Sequence, residues 1–150
     1  MSNPAFSPIA AAELSYTEAG EPMYKVLRPW KGEPVWIDIV TDQPEMTPAQ
    51  LESVNQELCW LWENPSLIDA QFGEGSELLT EKNQNLFEDE EAYDAEAFAA
   101  QILLEAIQLT LKNGQPESLQ RWYDDGELFG GASIMLEWKD RALSAIRIVD

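Results

Sequence analysis

From Val35 to Val40 the chain alternates. Val35, Ile37 and Ile39 share one face, and Trp36 and Asp38 share the other, the period of two that marks a half-buried strand. Upstream, Met23, Tyr24, Val26, Leu27 and Trp30 form a second strand-like run. Lys31-Gly32-Glu33-Pro34 between the two is turn chemistry, with Gly free to adopt positive φ and Pro fixed in φ. An N-terminal hairpin is predicted. The period then changes. Thr47 is placed to cap a helix, Pro48 suits its first turn, and Gln50 can close a capping box. Leu51, Val54, Leu58 and Leu61 follow at spacings of three and four as one apolar stripe. Asn64-Pro65 stops that helix and restarts a second around Ser66 to Phe72, which Gly73 and Gly75 end.

Ser76 to Tyr93 is mostly polar. Asp94 can then cap a third helix running to Lys112, with Glu96 in its first turn and Lys112 in its last, both favourable to the helix dipole. Phe98, Ile102, Leu103, Leu104, Ile107, Leu109 and Leu111 make it apolar almost all round, so it is expected to be the central buried helix, with Asn113-Gly114 as its stop. After a short helical segment at Glu117–Trp122, Ala132–Trp138 and Leu143–Val149 read as strands joined by Lys139-Asp140-Arg141-Ala142. The predicted order is two strands, about three helices, two strands. That is an α+β fold in which the N- and C-terminal hairpins form one antiparallel sheet with the helices packed on one face. Residues 1–20, with Pro4, Pro8 and an alanine run, read as a flexible leader, and residues 21–150 as a single domain.

Charge changes this picture more than any element. The chain carries 28 Asp and Glu against 9 Lys and Arg, a formal net charge of −19. Eighteen of the acids lie between Gly32 and Leu111, where Lys82 is the one basic residue. Such a field repels nucleic acid, anionic lipid and phosphorylated substrates and attracts basic proteins and cations. The composition, 45% hydrophobic with six Trp, is that of a folded chain rather than an acidic disordered one. Part of the acidity belongs to the helix entries at Asp94 and Glu96 and to the outer faces of Glu52, Glu57 and Glu63. The portion left to explain runs from Glu74 to Glu91, and its densest part is Glu88-Asp89-Glu90-Glu91. A charge run is ordinarily a solvated loop. Ordinary solvated faces interleave Lys with Glu, however, and this window does not. Glu81, Glu88, Asp89, Glu90, Glu91, Asp94 and Glu96 are therefore the expected contacts for a basic partner, with Phe87 and Tyr93 as flanking aromatic anchors.

What is missing narrows the chemistry. With no histidine there is no Ser-His-Asp or Cys-His pair and no imidazole ligand, which leaves carboxylate acid–base work or Mg²⁺ or Ca²⁺ held by oxygens. No carboxylate pair stands out as a dyad. Cys59 alone cannot form a disulfide framework and reads as a small apolar residue, since no His or nearby Lys would lower its pKa. A reducing, cytoplasmic setting is expected. The N-terminus has no secretory pattern, and no run approaches membrane-spanning length. Trp60 and Trp62, two apart on the first helix, point to different sides. One can pack inward, and the other is left to meet the second hairpin or a partner.

The segment Tyr123-Asp124-Asp125-Gly126-Glu127-Leu128-Phe129-Gly130-Gly131-Ala132-Ser133-Ile134 resembles a C-terminal signature, Asp-Asp-Gly-x-Leu-Phe-x-Gly-His-x-Ile followed by a terminal hairpin, of uncharacterised bacterial domain families. Ala132 stands where those families have His. The resemblance covers less than a fifth of the chain and implies an immunity-type protein from a toxin–immunity setting, without an assigned enzymatic activity. Read from the residues, Asp124 and Asp125 can accept backbone amides in an Asx-type turn, Gly126 supplies positive φ, and Leu128 and Phe129 anchor the loop. Asp124, Asp125 and Glu127 lack the full Ca²⁺-loop pattern.

The function expected from all of this is non-enzymatic: an acidic inhibitor of immunity type that neutralises a basic protein, such as a nuclease toxin, with no cofactor, no metal, no direct contact with nucleic acid and no membrane. The alternatives are a nucleic-acid mimic that blocks a DNA- or RNA-binding protein, a carboxylate-based Mg²⁺ hydrolase, and a structural adaptor domain.

Overall fold

The computed structural model describes residues 5–150. Seven strands, β1 (Ser15–Thr17), β2 (Met23–Trp30), β3 (Glu33–Val40), β4 (Leu103–Lys112), β5 (Gln115–Asp124), β6 (Ser133–Lys139) and β7 (Ala142–Val149), form one sheet in chain order. Neighbours are antiparallel except β3 and β4, which run parallel from Trp36 beside Ala106 to Val40 beside Thr110. A parallel step needs a long crossover. Residues 41–102 supply it and carry four helices, α1 (Pro48–Glu63), α2 (Pro65–Asp69), α3 (Glu77–Gln84) and α4 (Ala95–Gln101). The chain is an α+β protein.

The sheet differs from the predicted one because two segments expected to be helical are strands. Asp94 does cap a helix, its Oδ1 accepting from Ala97 N at 2.7 Å, but that helix ends at Gln101. From Ile107 the period is two: Ile107, Leu109 and Leu111 are buried, while Gln108 and Thr110 between them are only partly so. A run apolar on every side carries no period that separates helix from strand. Here β4 sits in the sheet interior, where such runs belong. Glu117–Trp122 likewise lies within β5, with Leu119, Arg121 and Tyr123 buried in alternation. Asn113-Gly114, predicted as a helix stop, is instead the two-residue turn joining β4 to β5. Both residues have positive φ (53° and 77°), as a type I′ hairpin turn requires. The N-terminal turn is also tighter than predicted: Lys31 and Gly32 form it, and Glu33 and Pro34 already belong to β3.

The core joins the buried alternation of β2–β6 to the apolar stripes of the helices. Ile37, Ile39, Ile107, Leu109, Ile134 and Leu136 meet Val54, Leu58, Leu61, Leu78 and Phe98 in one cluster. Thr47 and Gln50 form the predicted capping box at the start of α1, each backbone N–H donating to the other's side-chain oxygen at 2.9 and 3.1 Å. Trp62 is the inward tryptophan, and its indole N–H donates to Pro29 O at 3.0 Å. Trp60 is half-buried and faces Arg141 in the β6–β7 turn, 5.8 Å from its ring. Trp36 is half exposed on the sheet side away from Ile37.

Of the segment read as a leader, residues 1–4 lie outside the described residues. Residues 6–17 make contacts with the body of the fold. Phe6 packs on Trp62 with ring centroids 4.9 Å apart, and Asn55 holds both the N–H and the carbonyl of Ile9. Arg28 donates to Ser7 O, Pro8 O and Glu13 Oε2. No helix among the described residues is long and apolar enough to cross a membrane.

Candidate functional site: an acidic loop braced from within

The predicted contact residues fall on one stretch, from the end of α3 through the α3–α4 loop into α4. They divide into two groups with different roles. Glu81, Glu88, Asp89, Glu91, Asp94 and Glu96 are exposed, as is Phe87 at 51%. Of the acids from Glu74 to Glu96, Glu90 alone has a cationic partner among the described residues. The outward carboxylates thus have no neutralising neighbour. Asp94 nevertheless has its structural task as the α4 cap, through one oxygen.

Glu90 and Tyr93 form the inner group. Glu90 Oε1 accepts from Lys82 Nζ at 2.7 Å and from Phe87 N at 2.8 Å, and its Oε2 accepts from Tyr93 Oη at 2.7 Å. Lys82, the lone base of the acidic window, is fully buried. Its ammonium lies 4.1 Å from the Phe87 ring centroid and 5.9 Å from those of Tyr93 and Phe129, an aromatic cage closed by one carboxylate. The Lys82 bond, then the Phe87 amide and the Tyr93 hydroxyl, lower the Glu90 pKa from an ordinary 4.5 to about 2. Accepting that bond from Tyr93 in turn pushes the phenol's pKa up. Asn83 clamps the far side of the loop, with Oδ1 accepting from Tyr93 N at 2.8 Å and Nδ2 donating to Tyr93 O at 2.9 Å. Asp89 turns the chain at φ 67°. Lys82 therefore does not dilute the acidic surface. It is consumed inside, where it fixes the loop that displays the outer acids.

The Asp-Asp-Gly segment packs against the same loop. Asp125, fully buried, accepts from Glu127 N at 2.9 Å through Oδ1, and from Phe129 N and Ala132 N at 2.9 and 3.0 Å through Oδ2. Asp124 Oδ1 accepts from Gly126 N at 2.9 Å. This is the predicted Asx chemistry, extended to a whole loop by one carboxylate. Gly126 has φ 59°, and a Cβ there would collide with the Gln101 carbonyl at the end of α4. Leu128 is buried, and Phe129 meets Phe98 edge-on at 6.4 Å as well as capping the Lys82 cage. The signature segment and the acidic loop are thus two walls of one packed unit. The Asp125 oxygens are committed to amides, and no group of three or more Cys, Asp or Glu among the described residues is placed to hold a metal ion. At Cys59 the thiol donates to Glu63 Oε1 at 3.3 Å. That carboxylate, and then burial, raise its pKa, the opposite of activation.

Sequence reasoning missed the division of labour within the run. The available signal was Lys82 itself, since a single base kept among eighteen acids, with Phe87 and Tyr93 within reach, suits an internal partner. It also missed Arg121, whose inward position follows from the period of two once Glu117–Trp122 is recognised as a strand. Comparison of the chain with protein-family models, curated proteins and solved structures found no match.

Proposed function

We propose that this protein is a non-enzymatic binding protein of the cytoplasm, of immunity type, that neutralises a basic protein partner by laying the α3–α4 acidic face over that partner's positive site. The observation that carries the reading is the pairing of uncompensated exposed carboxylates (Glu81, Glu88, Asp89, Glu91 and Glu96) with a backbone braced by the Lys82–Glu90 bond. A loop already fixed before binding loses little conformational entropy on docking, and complementary charge speeds encounter more than it deepens affinity. Phe87, half exposed at the centre of the acids, is the residue best placed to slow dissociation.

The test uses the basic protein retained from a lysate of the native host by the immobilised chain. Its association is measured against wild type and the triple variant Glu81→Lys/Glu88→Lys/Glu91→Lys, at several ionic strengths. Glu90 is left intact because it holds the loop. The association rate of the variant should fall by about tenfold or more at low salt, and its dependence on salt should flatten. An unchanged rate and slope would rule this surface out.

A further inference from the structure

Arg121 sits on the buried face of β5 at 1% exposure, and its Nε and Nη1 have no hydrogen-bond partner. Two residues along the same face, Tyr123 Oη is buried and also lacks a well-formed hydrogen bond, although the Arg121 guanidinium is close enough to oppose the rise that burial causes in the phenol's pKa. Native proteins leave few buried polar atoms unpaired, and a buried guanidinium without a carboxylate carries an uncompensated desolvation cost. Three such atoms here belong to adjacent side chains lining a single pocket of about 710 Å³. In a chain with 28 acids, a carboxylate partner would have been easy to supply. Asp69, the carboxylate whose charge acts on Arg121, instead places both oxygens 2.9 Å from Lys31 Nζ. The Trp30 ring centroid, 4.0 Å from the guanidinium carbon, holds the cation by its face and leaves Nε and Nη1 unmatched. Burial pushes the Arg121 pKa down and that of Tyr123 up, yet an arginine stays charged at neutral pH.

We propose that this pocket is a binding site for a small monocarboxylate carried on an apolar body. The pocket size falls in the range of small-molecule sites. Ile68, Phe72, Ile102 and Leu104 give it apolar walls, and Arg121 and Tyr123 belong to the same lining. Arginine presents paired N–H donors that match a carboxylate, and a tyrosine hydroxyl can add a third bond. Glu33 on the rim and the field of the whole chain disfavour dianions such as phosphate, while Asp69 there is paired with Lys31, which also lines the pocket. Because the orphan atoms are out of reach of water, binding must draw the guanidinium along the Trp30 ring toward the opening, so the indole of Trp30 reports it. This site is separate from the acidic loop and does not depend on the proposed partner.

The experiment titrates phenylacetate into the full chain by calorimetry, with tryptophan indole and arginine Nε–H resonances followed by NMR. Phenethylamine and inorganic phosphate serve as probes of charge. Saturable binding of phenylacetate is expected, with shifts in one indole and one Nε–H signal and no binding of the amine or phosphate. Arg121→Met removes the unpaired charge at similar volume and should weaken binding about tenfold or more. Ala99→Trp, on the exposed rim, should block the pocket without disturbing the core and keeps the test decisive if the Arg121 variant does not fold. Absence of saturable binding in the wild type, equal binding by a folded Arg121→Met, or undiminished binding by Ala99→Trp would overturn the proposal. Arg121 would then be a core cation held by the rings of Trp30 and Tyr123.

Discussion

Asp125→Ala is the substitution with the sharpest consequence for this fold. Removing the carboxylate strips acceptors from three backbone amides at once, those of Glu127, Phe129 and Ala132, now bonded at 2.9, 2.9 and 3.0 Å. Their losses are unequal. Ala132 is buried and its amide has nowhere to turn, Phe129 is half-buried, and Glu127 lies at the exposed edge of the loop. A stranded buried donor costs about 1–3 kcal/mol, more when the lost acceptor was charged, and a donor that can reach water costs little. Taking about 2.5 for Ala132, about 1 for Phe129 and a few tenths for Glu127 gives a loss of about 4 kcal/mol. With a urea m-value of about 2 kcal/mol per molar, the unfolding midpoint should drop by about 2 M. Equilibrium unfolding followed by tryptophan fluorescence measures this directly. Asp125→Asn keeps one oxygen but turns an NH₂ toward the remaining amides, so it should fall between wild type and alanine. A midpoint shift below about 0.5 M for Asp125→Ala would mean that the loop is not held by this carboxylate.

Two further perturbations test neighbouring features. Glu90 has a folded-state pKa depressed to about 2 from an ordinary 4.5, so its contribution to stability is complete above about pH 4.5 and is lost as pH falls toward 2. The stability difference between wild type and Glu90→Gln, taken from denaturation at a series of pH values, should shrink across that window, and a difference independent of pH would refute the Lys82 pairing. Gly114→Ala puts a side chain at φ 77° and drives its Cβ into the Gln50 amide, which completes the α1 capping box and also bonds Gln43. It should cost about 2 kcal/mol, read as a lowered thermal midpoint, whereas Lys112→Ala one turn residue away should be nearly silent.

Local chemistry was legible in the sequence wherever a single pattern had a single reading. The alternation at Val35–Val40, the Thr47–Gln50 box and the Asp124-Asp125-Gly126 turn all took the form their residues dictate. The errors came where one pattern had two physical solutions. Phe98 to Leu111 is apolar on all sides, which suits a buried helix and an interior strand equally, and helix α4 in fact covers only its first turn. The Asn-Gly pair that follows serves as a helix stop or as a hairpin turn. Its second meaning, together with the alternation of Leu119, Arg121 and Tyr123 beyond it, would have resolved the ambiguity. At the acidic loop the sequence revealed the sign of the charge but not its partition. Which carboxylate turns inward depends on Lys82 meeting Phe129 from a loop some fifty residues later, a contact with no local signature.

The parallel seam between β3 and β4 has a consequence for the order of folding. Strands β4 to β7 are joined by short connections, each pairing with the next, so they can assemble through contacts of small sequence separation. The same holds for β1 to β3. The seam, five residue pairs from Trp36–Ala106 to Val40–Thr110, is the place in the sheet where the two ends of a crossover of about sixty residues must meet. Closing that loop is a search whose entropy must be met before its contacts reward it. The slow step of folding is therefore expected to be the docking of two preformed meanders, with the acidic loop carried on the segment that waits for it.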